Sequence, residues 1–126
     1  MRRRSPRLPG LVIPDAVRFE HDGARALDGA TLVVNAIPTQ FVRAAWKPLA
    51  AHLAVGVPVV SVTKGIEDET LLRPSQVIAE AARGSESARA VAVLSGPTIA
   101  AELALRLPAT MVSASSDAAL AERVQR

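Results

Sequence analysis

Three short segments carry residue types suited to holding a polar, negatively charged small molecule. Ser61-Val-Thr-Lys-Gly65 sets an ammonium beside a glycine. Lys64 is one of two lysines among 15 basic side chains, the rest being arginines. A compact ammonium with three donors can grip a hydroxyl or a phosphate oxygen, and the neighbouring glycine leaves room for the ligand to approach. A solvated surface lysine is the plainer reading. Ser95-Gly-Pro-Thr98 offers a tight turn at Gly96, a helix-starting Pro97 and the Thr98 hydroxyl. First-turn N–H groups there would suit an oxyanion, although an ordinary capping turn would look the same. Asn35-Ala-Ile-Pro-Thr-Gln-Phe41 adds Thr39 and Gln40 at a helix start, and Phe41. The Phe41 ring either shields a flat ligand or packs its helix onto the sheet.

These segments become one site only if secondary structure brings them together. Thr31–Ile37, Val57–Val62, Ala90–Leu94 and Thr110–Ala114 read as strands, and Ala16–Glu20 as a shorter one. Helices are expected over Asp22–Leu27, from an N-cap at Thr39 to near Leu49, over Pro74–Arg83 before Gly84, over Thr98–Leu107, and after a cap at Asp117. Pro48 should interrupt or kink the second of these near Lys47, and Trp46 reads as a core residue. Strands alternating with helices make βαβ units, hence an α/β fold with a doubly wound parallel sheet and helices on both faces. Ligands of such sheets sit at the carboxyl ends of the strands, where all three segments fall. Residues 1–15, rich in proline, form an extended loop, and 16–126 the domain.

Composition narrows the function classes. With 126 residues, 49% hydrophobic and 21% charged, the chain suits one globular domain. The absence of cysteine removes disulfides and thiolate metal sites, and His21 and His52 lie far apart without ligand clusters, so no metal is expected. Ser61 and Ser95 have no base partner at a spacing that suggests a hydrolase. Setting aside Arg2, Arg3, Arg4 and Arg7 leaves 11 of the 15 basic side chains against 12 acidic ones, a net of −1 in place of +3. The body therefore has no basic excess for nucleic acid, and no apolar run is long enough to insert in a membrane. A cytoplasmic protein is the expectation.

In these segments the sequence resembles the soluble bacterial NAD(P)-dependent sn-glycerol-3-phosphate dehydrogenases. The resemblance rests on Arg7-Leu-Pro-Gly10, Asn35-Ala-Ile-Pro-Thr-Gln-Phe41, Ser61-Val-Thr-Lys-Gly-Ile66 and Leu94-Ser-Gly-Pro-Thr98 with Ala100 and Glu102, in the family's order and spacing. It implies a Rossmann-type domain, NAD or NADP as cofactor, and hydride transfer between NAD(P)H and dihydroxyacetone phosphate or sn-glycerol 3-phosphate, supplying phospholipid synthesis. It also implies that Lys64, Gly96 and Thr98 bind substrate and that Phe41, Lys64 and Ala100 bind cofactor. A homodimer is in keeping with it for the full-length enzyme.

Two family features are missing from this sequence. The Gly-rich phosphate-binding turn that opens such domains is not present, and neither is the helical domain that carries the family's catalytic lysine. No residue here takes the catalytic proton-transfer role, and the expectation is an incomplete Rossmann domain, lacking its first strands and inactive alone. Thr31–Ile37 should then be an apolar edge and the chain marginal or self-associating. Two other readings fit the pattern: a non-catalytic dinucleotide- or sugar-phosphate-binding module, and another dehydrogenase of the 6-phosphogluconate or ketopantoate reductase type.

Overall fold

The computed structural model describes residues 4, 5, 7, 8, 10–83 and 90–126. In chain order the elements are α1 (Gly23–Leu27), β1 (Val33–Asn35), α2 (Thr39–Leu49), β2 (Val59–Ser61), α3 (Pro74–Ala81), β3 (Val91–Ser95), α4 (Ala100–Ala104), β4 (Val112–Ser115) and α5 (Ala118–Gln125). The strands form one sheet in the order β1-β2-β3-β4. The sheet's alternation sends successive residues to opposite faces. Val59 joins Val42, Trp46, Val77, Ile78, Leu53 and Leu27 under α1, α2 and α3, while Val60 joins Ala92 and Leu120 under α5. Helices thus cover both faces, as expected for a doubly wound sheet.

The expected all-parallel sheet needs one correction. β1, β2 and β3 are parallel, but β4 runs antiparallel to β3, with Ser95 opposite Val112. α4 is short: at about 1.5 Å per residue its five residues advance less than half as far as a strand of equal length, which rises about 3.3 Å per residue. The chain re-enters the sheet at the end it has just left. α4 stops early, short of the expected Thr98–Leu107, because Arg106 enters the left-handed region at φ 59°. There the Leu107 N–H reaches the Glu102 carbonyl and the Arg106 N–H the Leu103 carbonyl, which closes the helix end.

Smaller corrections have equally local causes. Ala16–Glu20 is not a strand: the sheet consists of β1–β4, and these residues belong to no ladder in it. The N-cap of α2 is Pro38, so Thr39 is the first helical residue. Pro48 does not interrupt α2, which runs on to Leu49. Only the bond to the exposed Ala44 carbonyl is lost there, and water can replace it. Asp117 caps α5 as expected, and Asp22, expected as the first helical residue, is instead the N-cap of α1. Gly84, the expected stop for α3, lies outside the described residues, and α3 ends at Ala81.

Buried polar bonds hold the carboxyl ends of β1 and β2 together. Asn35, 2% exposed, accepts from the Trp46 indole N–H (2.9 Å) and donates to the Ser61 and Thr63 hydroxyls (3.3 and 2.9 Å). Thr63 in turn donates to the Ile37 carbonyl (2.7 Å). The loop that follows β2 is then fastened to α2. Thr39 donates to the Lys64 carbonyl (2.6 Å), and Gln40 donates to the Ile66 carbonyl (3.1 Å) and Asp68 carboxylate (2.9 Å). Arg43 grips Glu67 with two parallel bonds (2.9 and 2.7 Å) and reaches Glu80 at 3.0 Å, while Thr70 also donates to Glu67. The Arg43 guanidinium, followed by the Thr70 hydroxyl, holds the Glu67 carboxyl below its ordinary value. The same contacts, to Glu67 first and Glu80 second, push Arg43 further up.

Three expectations follow. Asn35→Ala leaves the Trp46 N–H buried without an acceptor, and should cost about 1–3 kcal/mol in urea denaturation. The Glu67 pairing stabilises the fold fully above the unfolded carboxylate value of about 4.3 and is lost as pH falls through the lower folded value. Thermal melts should accordingly show a steeper acid loss for the native chain than for Glu67→Gln; parallel curves would exclude the linkage. β1 is the sheet's edge, and Val34 on it is 57% exposed. Sedimentation should find concentration-dependent association that Val34→Lys reduces, whereas a monomer with a sharp, concentration-independent melt would contradict it.

Candidate functional site

The three sequence segments do meet, at the carboxyl ends of the parallel strands. Lys64, just past β2, crosses to the turn after β3, where its ammonium donates to the Gly96 carbonyl (2.7 Å) and the Thr98 hydroxyl (2.9 Å). Two of its three donors are used, which leaves one for a ligand. The side chain is exposed at the sheet's rim rather than folded against the core. It is neither a loose surface lysine nor a buried one.

The glycines on either side serve different purposes. Gly65 has φ +117°, and a Cβ there would meet the Thr39 hydroxyl oxygen at 2.9 Å. A side chain would be strained by the backbone and crowded by the helix. Gly96 has no such backbone requirement. A Cβ there would run into the Thr110 carbonyl oxygen and the Met111 backbone, where the chain returns toward β4. Close backbone approach is thus added to the expected tight turn, in which the Thr98 N–H donates to the Gly96 carbonyl (2.8 Å). Both substitutions would shift one wall of the same site.

An open cleft of about 360 Å³ lies beside Lys64. Ser61, Val93 and Ala114, neighbours across the ladder, line it together with Ser95. Arg73, Pro74 and Ser75, at the start of α3, line it as well. Arg73 lies with its guanidinium Nε donating to Gln76 at 3.1 Å. The cleft therefore has two cations, several hydroxyls and a helix start, a combination suited to an anionic, oxygen-rich ligand.

Phe41 stands on the first turn of α2 and is 64% exposed, so it does not pack the helix to the sheet. Trp46 on the same helix does that work, at 2% exposure. Ala100, the first residue of α4, is exposed. Neither Phe41 nor Ala100 lines the cleft, in contrast to Lys64. Sequence reasoning passed over Asn35, Thr63, Glu67 and Arg73. A signal for Asn35 was available: an amide ending an apolar strand, with an indole on the next helix, marks a buried pair. Glu67 and Arg73 had no signal, since charges in a polar loop are ordinarily solvated. Among the described residues no group of three or more His, Cys, Asp or Glu could hold a metal, and no helix is long and apolar enough to cross a membrane.

Comparison with known proteins agrees with this geometry. Residues 1–121 match the family described as NAD-dependent glycerol-3-phosphate dehydrogenase N-terminus. A glycerol-3-phosphate dehydrogenase [NAD(P)+] of Nocardia farcinica is 50% identical over 125 residues, covering 94% of this chain and 36% of that protein. A second, from Lactobacillus delbrueckii, is 42% identical over 98% of this chain and 37% of its own length. The chain thus spans about a third of the length of the curated relatives it matches. In fold it is similar to the glycerol-3-phosphate dehydrogenase of Coxiella burnetii, with TM-score 0.81 at 22% identity over 93% of this chain and 34% of that one. The Dunaliella salina enzyme gives 0.73 at 28% identity, over 87% and 19%. With a family match along nearly its whole length, the chain belongs to the NAD-dependent glycerol-3-phosphate dehydrogenase family, in that family's N-terminal part.

Proposed function

We propose that this chain is the partial nucleotide-binding domain, residues 16–126 behind an extended lead of 1–15, of an oxidoreductase. That enzyme interconverts dihydroxyacetone phosphate and sn-glycerol 3-phosphate with NAD or NADP, and the chain is inactive by itself. The observation that supports this best is the Lys64 ammonium, held between two strand ends with one donor uncommitted. In carbonyl reduction negative charge grows on the oxygen, and a fixed cation beside that oxygen favours the charged transition state over the neutral ground state. The nicotinamide supplies the hydride when bound. Lys64 binds both substrate and cofactor in this reading, while Gly96 and Thr98 hold the Lys64 ammonium and contact the substrate.

Phe41 and Ala100 are the proposed cofactor contacts. Their exposure fits that assignment: one offers a flat apolar ring and the other a methyl-sized surface at the carboxyl end of the sheet. The assignment to an enzyme rather than a sensing module draws on the curated relatives, which are dehydrogenases at 50% and 42% identity. A cytoplasmic location and a homodimeric full-length enzyme belong to the same proposal.

The test is a dehydrogenase assay with dihydroxyacetone phosphate and NADH or NADPH, on this chain and on a form extended at both ends of its reading frame. Activity in the extended form alone is expected. Lys64→Ala in that form should lower turnover about 100-fold or more, in the range for loss of one charge-stabilising donor. Activity in neither form would favour a non-catalytic binding module, and activity in the short chain would refute the proposed inactivity.

A further inference from the structure

We propose that Thr39 is a positioning residue, whose buried hydroxyl, by donating to the Lys64 carbonyl, sets where the Lys64 ammonium stands over Gly96 and Thr98. Thr39 is the first residue of α2 and is buried. Its hydroxyl bond runs 2.6 Å to Lys64, not back into its own helix. The helix start has no side-chain cap bond, and Thr39 lies one residue past the N-cap, Pro38. Capping therefore does not account for this hydroxyl.

The next residue of the loop depends on the same atom. Gly65, at φ +117°, passes so close that a Cβ would lie 2.9 Å from the Thr39 oxygen. On either side the loop is tied through Thr63 to Ile37 and through Ile66 to Gln40. Three anchors thus come from residues 37–40, and the one from Thr39 falls on Lys64 itself. A lysine side chain has four rotatable torsions, so its head is placed only if its root is. The root is fixed by Thr39, and the head by Gly96 and Thr98. The consequence for ligand binding rests on the reading of Lys64 given under Proposed function; the positioning does not.

The chain's two lysines make the test direct. Labelling with 15N-lysine gives two ammonium signals, Lys47→Arg assigns them, and exposed Lys47 serves as the mobile reference. The native Lys64 ammonium should be more ordered and slower to exchange with water than Lys47. Thr39→Val should bring it to the Lys47 values while the Trp46 indole signal stays in place, and Thr39→Ser should keep it ordered. If valine disrupts the fold, Thr39→Ala carries the same test without added bulk.

A Lys64 ammonium still ordered in folded Thr39→Val or Thr39→Ala overturns the inference. So does failure of serine to rescue, or a native Lys64 as mobile as Lys47. A parallel NADH titration should show binding weakened about 2- to 10-fold in Thr39→Val and preserved in Thr39→Ser, the size of one hydrogen bond. No NADH binding by the native chain would count against cofactor binding by this chain, and the ammonium signals would still decide the role of Thr39.

Discussion

The arrangement turns on one buried amide. Asn35 closes β1 at the point where the chain leaves the sheet, and its side chain bonds an indole on α2 and hydroxyls at the end of β2 and just beyond. β1 and β2 are each only three residues long, so the backbone ladder between them contributes few bonds. An amide taken out of water must find partners or destabilise the fold. Asn35 finds them only when α2, β1 and β2 stand in one register. That requirement favours a single arrangement over neighbouring ones that apolar contacts alone would tolerate.

From this point the site is assembled by stages. Thr63 passes the constraint from Asn35 to the connection before α2, and the first turns of α2 hold the loop after β2. Arg43 and Glu67 fasten the middle of that loop, with Glu80 drawing α3 into the same network. The Lys64 ammonium is therefore presented by a loop anchored along its length. A cation that must meet developing charge gains from such prior placement, since little reorganisation is then needed during the reaction.

Much of this was legible in the residues. Apolar runs at strand length located all four strands, and the junctions after them pointed to Lys64, Gly96 and Thr98, which the fold brings into contact. The helix start with a side-chain acceptor at Asp117 was readable because the cap is a local event. What escaped was set by longer-range balance. The antiparallel direction of β4 has no local mark, and α4 stops at Ala104, ahead of a left-handed Arg106 where a glycine usually stands. Ala16–Glu20 alternates like a strand, yet alternation cannot supply a ladder partner. The Arg43–Glu67 pairing joins residues 24 apart, and neither has a local reason to be paired.

The antiparallel return of β4 has a consequence for how such a site can change over time. Because the chain turns back at the end it has just left, the segment 105–111 ends beside the turn that receives Lys64, where Thr110 and Met111 approach Gly96, and the ladder with β3 begins only afterwards. Most of that segment is exposed and contributes nothing to either core cluster. Its composition and length can drift without disturbing the packing that keeps the domain folded, provided the approach of Thr110 to Gly96 is kept. The approach to the turn that receives Lys64 is thus open to variation while the scaffold stays as it is.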